Sequence, residues 1–287
     1  MKLSEAMREK MLLSFELFPP KTEKGMENLP GTIDHLMKYK PEYISCTYGA
    51  GGGTSKNTVK IASHIKDKYN VPSLAHLTCV SSTKEEVHQV IDQLKAAGIE
   101  NILALRGDIP QESEFPLPNH YQYAYELIED IKSQGDFCIG AACYPEGHVE
   151  SEHKKDDIAH LKQKVDCGVD FLTTQMFFDN SLLYSYLYRI REKGITIPVI
   201  AGIMPVTSGS QLKRIAQMSG SYMPARFLSL VDKYGDNPAA MKQAGIAYAT
   251  DQIIDLLANG IKGIHVYTMN KPDVAAQIQS NISELLK

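Results

Sequence analysis

No excess of either charge marks this chain. Thirty Lys and Arg face 34 Asp and Glu, for a net charge of −4. A broad basic face for a nucleic-acid backbone is therefore not expected. Cysteine is scarce. The five, Cys46, Cys79, Cys138, Cys143 and Cys167, are odd in number and no two form a Cys-x-x-Cys pair. That pattern argues against a disulfide scaffold and against a Cys-rich zinc site. Long apolar runs are also lacking. Glu16 interrupts the only N-terminal candidate for a secretory segment. The longest uncharged stretch, Gly194 to Leu212, holds Pro198, Gly202, Pro205 and Gly209. Only Val199 to Val206 within it is truly apolar, too short to cross a bilayer. With 43% apolar and 22% charged residues, a folded, soluble, cytoplasmic protein is the expectation.

Short apolar runs alternate with longer amphipathic ones. The strand-like runs are Leu12–Phe18, Tyr43–Tyr48, Ser73–Cys79, Asn101–Gly107, Phe137–Tyr144, Phe171–Phe177, Val199–Met204 and Gly263–Met269. Most are apolar without alternation, as in a parallel sheet buried on both faces. The first seven recur every 28 to 36 residues, one βα unit apiece. Helical periodicity appears between them, as in Thr83–Ala97, where Val87, Val90, Ile91 and Leu94 share a face and Gly98 closes the segment. Asp157–Cys167 ends at Gly168 and Ser181–Lys193 at Gly194 in the same way. The last gap is longer and holds Ser208–Ser219, Pro224–Lys233 and Pro238–Asn259; a final helix is expected at Val274–Leu286. Eight strands, each followed by a helix, predict a (β/α)8 barrel of the α/β class. It would fill residues 1–287 as a single domain, with extra helices between strands 7 and 8. A doubly wound open sheet is the alternative, but FPPKTEKG follows the first strand where that fold would carry GxGxxG.

Active sites of such barrels lie at the C-terminal strand ends. Those ends carry Glu16; Thr47 and Tyr48; His76 and Thr78; Arg106, Gly107 and Asp108; Tyr144, Glu146 and His148; Thr174 and Gln175; and Tyr267, Thr268 and Asn270. Gln211 lies beyond the seventh. Glu16 is the sharpest, because a carboxylate inside an apolar strand is costly unless paired. Desolvation would suit it to general acid catalysis. A structural salt bridge to an Arg or Lys on a neighbouring strand accounts for it equally well. Arg106-Gly107-Asp108 could serve a ligand or be an ordinary charged turn. Gly49 to Gly53 could offer backbone N–H groups to an anion or simply turn. No GK[ST] follows it, so it is not a P-loop. His76, His148, His153 and His160 fit no common zinc spacing, and no GxSxG occurs. Lys164 could reach a phosphate or stand in solvent.

Together these segments resemble the methylenetetrahydrofolate reductase family. The markers are SFELFPPKT (14–22), TYGAGG (47–52), AHLTC (75–79), ALRGD (104–108), YPEGH (144–148), TTQMFFD (173–179), IAGIMPV (200–206) and HVYTMN (265–270), eight in order along nearly the whole chain. The resemblance implies a barrel that holds FAD without a Rossmann motif and reduces 5,10-methylenetetrahydrofolate to 5-methyltetrahydrofolate. It implies Glu16 as the general acid that protonates N10 of the folate, Asp108 near flavin and pterin, and Gln175 on folate or nicotinamide. Flavin contacts would fall to Tyr48, Ala50, His76, Arg106, Gly107, Asp108, Tyr144 and His148, and further to Ala124, Ser151, Asp157, His160, Gln163 and Lys164. Thr47 would touch nicotinamide, and Gln211 folate. Lys271 stands where an arginine often holds the nicotinamide cofactor, and Ile215 where a phenylalanine often contacts folate or nicotinamide. NAD(P)H and folate would use one flavin face in turn. A homo-oligomer and, in some settings, an electron-transfer partner subunit are also implied. The competing readings are a flavin-free pterin-binding barrel and a non-catalytic folate- or flavin-binding subunit.

Overall fold

The computed structural model describes residues 1–20, 22–48, 55–109, 115–151, 153–219 and 221–287. Eight strands, β1 (Leu12–Leu17), β2 (Tyr43–Cys46), β3 (Ser73–Thr78), β4 (Asn101–Leu105), β5 (Cys138–Cys143), β6 (Phe171–Thr174), β7 (Val199–Ile203) and β8 (Gly263–Val266), pair in parallel and in sequence order. β8 closes on β1, so the sheet is a barrel and has no edge. All eight expected strands are present, and the open sheet is excluded.

One short helix escaped the periodicity: α1 (Leu3–Glu9), seven residues ahead of β1. Its Leu3, Ala6 and Met7 pack against Leu12, Tyr43, Leu74, Leu103, Cys138, Phe171 and Ile200. These come from seven strands and fill the lower barrel, with α1 as the plug. The N–H of Leu3 donates to Oδ1 of Asn101 at 2.8 Å and ties the plug to β4. Strand alternation then sets the layer above. Ser14 and Glu16 follow Leu12 on one face of β1, Ser45 follows Tyr43, His76 follows Leu74, and His265 and Tyr267 follow Gly263. The barrel is therefore apolar below and polar above.

Outward residues of the strands meet the helices. Leu13, Phe15 and Leu17 join Leu29, Ile33 and Leu36 of α2 (Glu23–Met37) in one large core. The ring continues with α3 (Ser55–Tyr69), α4 (Lys84–Ala96), α5 (Ala124–Gln134), α6 (Lys154–Asp166) and α7 (Asn180–Glu192). Thr83 and Glu86 form a reciprocal capping box on α4, which fixes where it starts. The expected helix at Asp157–Cys167 begins three residues earlier, at Lys154. Between β7 and β8 stand the three expected helices, α8 (Gly209–Ser219), α9 (Ala225–Tyr234) and α10 (Pro238–Ala258). Phe178, Val206, Leu212, Ile215, Phe227, Met241 and Tyr248 form their own core. The last helix, α11 (Pro272–Ile282), stops four residues short of the expected Leu286. Among the described residues, no helix is long and apolar enough to cross a membrane.

Candidate active site

The C-terminal ends of the strands open into a cavity of about 1190 Å3. Fifteen of the site residues implied by the resemblance line it: Glu16, Tyr48, His76, Arg106, Gly107, Asp108, Ala124, Tyr144, His148, Ser151, Asp157, His160, Gln163, Lys164 and Gln175; Thr78, Thr174 and Tyr267, read from the strand ends, join them. Ala50 lies outside the described residues. Thr47 is half-buried and outside the lining; its N–H donates to the carbonyl of Leu17 and its carbonyl accepts from Thr58. Gln211 and Lys271 are also outside the lining. The Gln211 side-chain carbonyl accepts from the Thr207 N–H at 3.0 Å, and the Lys271 ammonium donates to the Thr207 hydroxyl at 3.0 Å. Both side chains are thus gathered around Thr207 at the β7–β8 rim. Ile215 is buried in the core of the extra helices.

Glu16 stands at the floor. Its Oε2 lies 3.6 Å from Nε2 of His265 on β8, so its neighbour is a histidine and not the Arg or Lys that a structural salt bridge would use. Nδ1 of His265 is 2.8 Å from the hydroxyl of Ser14. Beside them Nε2 of His76 is 2.6 Å from the hydroxyl of Ser45. Burial pushes the His76 imidazole down to about 4, against a smaller upward pull from Glu16, so it is neutral near pH 7.

The Arg106 guanidinium makes two hydrogen bonds to the Glu150 carboxylate, at 2.6 and 2.7 Å. This is the fork geometry that Arg offers and Lys cannot. Gly107 follows with φ of +87°, and a Cβ there would meet Cβ of Thr78 at 3.0 Å. The glycine therefore answers to the neighbouring strand as well as to the turn. On α6, Asp157 and Lys164 also line the cavity. Lys164 donates to the carbonyl of Ala142 at 2.8 Å. Burial pulls the lysine down and the aspartate up, and each charge partly restores the other. Tyr144 and His148 meet edge to face with ring centroids 4.7 Å apart. The Thr173 hydroxyl is buried in the lining with no hydrogen-bond partner among the described residues.

Several lining residues carried no sequence signal. Glu150 lies two residues past the YPEGH run, Thr173 opens the TTQMFFD marker but is not singled out within it, and Tyr123 and Tyr125 flank Ala124 with rings stacked 5.9 Å apart. His265 sits inside an apolar run and is nearly fully buried. Only the strand-alternation rule, applied once β8 pairs with β1, brings it to Glu16.

The family model described as methylenetetrahydrofolate reductase matches residues 2–283. "Methylenetetrahydrofolate reductase (NADH) 1" of Arabidopsis thaliana is 36% identical over 282 residues, covering 94% of this chain and 48% of the relative. "5,10-methylenetetrahydrofolate reductase" of Escherichia coli is 35% identical over 266 residues, covering 93% of this chain and 88% of that protein. The chain thus spans about half the length of the plant relatives and most of the bacterial ones. A solved structure from Clostridium thermocellum, described as an uncharacterized protein that binds two copies of 5-methyl-5,6,7,8-tetrahydrofolic acid, superposes with a TM-score of 0.64 over 99% of both chains. At 14% identity it shares the fold.

Proposed function

The chain belongs to the methylenetetrahydrofolate reductase family, and from that premise we propose that it reduces 5,10-methylenetetrahydrofolate to 5-methyltetrahydrofolate in this cavity, with FAD as the bound redox group. The observation that carries the reading is a single carboxyl group, Glu16, at the polar floor of a cavity that also gathers Asp108, Gln175 and Arg106. The residues present fit a flavin dinucleotide. The space suits a large ligand. Arg106 and Lys164 offer cations for a pyrophosphate. Tyr48, Tyr144 and His148 offer ring surfaces, and the Thr173 hydroxyl has no partner among the described residues.

When bound, the flavin would supply the hydride, taken from NAD(P)H or another donor in one half of a ping-pong cycle and given to the folate in the other. The protein does the rest. Glu16 gives a proton to N10 of the folate and opens its five-membered ring to a cation at N5. Asp108 on the rim favours that cation. Gln175 holds the pterin or the nicotinamide in turn, and Gln211 and Lys271 reach either ligand from the rim when they leave Thr207. Thr47 and Ala50 complete the cofactor side. The reading treats residues 1–287 as one catalytic barrel, working as a cytoplasmic homo-oligomer, with a partner subunit wherever the electron donor is not NAD(P)H.

The test is an anaerobic visible spectrum of the purified protein during addition of NADH and then methylenetetrahydrofolate. Flavin bands that bleach with NADH and return with the folate support both halves. Bands bleached only by a chemical reductant and restored by folate move the donor to a partner. Protein that takes up no FAD removes the flavin reading. In Glu16→Gln the first half should stay and the second should fall by about a hundredfold or more.

A further inference from the structure

Histidines aside, the described lining of the cavity carries two basic and four acidic side chains: Arg106 and Lys164 against Glu16, Asp108, Glu150 and Asp157. A lining with that balance opposes a dianion, so a diphosphate gains most where a cation is released from its own carboxylate. Lys164 gives an N–H to a neutral group, the carbonyl of Ala142, at 2.8 Å. Arg106 is committed differently. Nη1 and Nη2 grip the two oxygens of Glu150 at 2.6 and 2.7 Å, and Nε donates to the carbonyl of Gly107 at 3.3 Å.

A guanidinium has five N–H donors. Among the described residues, three of those on Arg106 are taken. The two left over point to opposite edges of the group and make no second fork. A phosphate can therefore be held in the two-pronged way that suits arginine only where Glu150 lets go.

The pair is built so that the carboxylate is the member that leaves. The arginine side chain is 20% exposed and the glutamate 53%, so Glu150 is on the water side. The Glu150 backbone is anchored, its N–H donating to Nδ1 of His148 at 3.2 Å. Rotation about the side-chain bonds is enough to free the fork. Arginine holds the Glu150 carboxyl below its usual 4.5, so near neutral pH the competitor is a full negative charge.

We propose that Glu150 is a displaceable counter-ion for Arg106, competing with the diphosphate of the cofactor and setting how tightly that diphosphate is held. This rests on the reading of FAD as the bound group. Before the cofactor enters, Glu150 keeps the arginine aimed and neutralised. On entry the diphosphate takes over the fork, and the carboxylate turns out to water. Glu150 then lowers the affinity of the site by the strength of its own contact and by its repulsion of the phosphates.

The experiment dilutes the FAD-loaded protein and reads the dissociation constant of FAD from the flavin fluorescence that appears. Glu150→Gln removes the charge and should cut that constant by about threefold to tenfold, the worth of an exposed ion pair together with the repulsion removed. Glu150→Asp keeps the charge, draws it back by one methylene and should give part of the gain. Arg106→Gln should hold FAD more weakly, and adding Glu150→Gln to it should change nothing further. An unchanged or raised constant in Glu150→Gln overturns the proposal; a raised one would make Glu150 a residue that steadies Arg106 for the cofactor. A full gain in the Arg106→Gln background also overturns it, because Glu150 would then act through its charge alone. Should Arg106→Gln fail to fold, Glu150→Asp decides: a constant equal to that of wild type means that only the charge matters and ends the proposal. Wild-type protein that takes up no FAD removes the flavin reading, and the proposal with it.

Discussion

Arg106 and Glu150 face each other across the cavity wall in a two-pronged ion pair, Nη1 to Oε2 at 2.6 Å and Nη2 to Oε1 at 2.7 Å. Arg106 directly follows β4 and Glu150 lies in the loop after β5, so the pair stitches two neighbouring strand ends together where the cavity opens.

The pair predicts a small, pH-dependent contribution to stability. Its side chains are 20% and 53% exposed, so water screens it, and Glu150→Gln should cost about 1 kcal/mol or less. The arginine holds the Glu150 carboxyl below its usual 4.5. A depressed carboxyl stabilises the fold above its unfolded value and loses that contribution as pH falls through its folded value. Urea midpoints of wild type and Glu150→Gln should therefore differ at neutral pH and converge well below 4.5. A gap that stays constant across that range would show that the loss is one of packing.

His76 predicts an acid sensitivity of opposite origin. Its folded value, about 4, lies below the ordinary 6.5 because charging it would bury a cation. The unfolded chain takes up the proton first, so stability falls as pH drops from 6.5 towards 4. The full effect is on the order of 3 kcal/mol. Chemical denaturation across that window should show a steeper loss for wild type than for His76→Gln. Parallel slopes would mean that His76 takes its proton without opening the fold.

Gly245 predicts the sharpest packing defect. A Cβ at this position on α10 would sit 1.8 Å from the carbonyl oxygen of Val206 and 2.8 Å from its carbon. Both are backbone atoms just past β7, which cannot swing aside as a side chain would. Gly245→Ala should cost about 2–4 kcal/mol, read as a lowered denaturation midpoint. It should also disturb Thr207, the shared partner of Gln211 and Lys271. A variant of unchanged stability would show that α10 can move off the barrel.

The eight strands and the extra helices before β8 were legible because burial on both faces leaves continuous apolar runs and because glycines close the helices. α1 was not, since seven residues give too few turns for a period to show. Most of the cavity wall was legible too, because polar residues at the ends of apolar strands stand out from their surroundings. Glu150 and Tyr123 did not stand out, lying outside the strands in polar surroundings, and Tyr125 did not because it sits in the first turn of α5.

The amino-acid sequence by itself determined the barrel, its strand order and the carboxyl group at its floor. Those follow from local patterns: apolar runs, their spacing, and a charge where none is otherwise tolerated. Only the tertiary structure decided what that carboxyl faces. Closing β8 onto β1 sets Ser14 level with His265 in the register and brings the ring to Glu16, across some 250 residues of chain. The same closure gathers Gln211 and Lys271 at Thr207, away from the cavity lining. Contacts of this kind depend on inter-strand register, which no segment of the chain encodes alone.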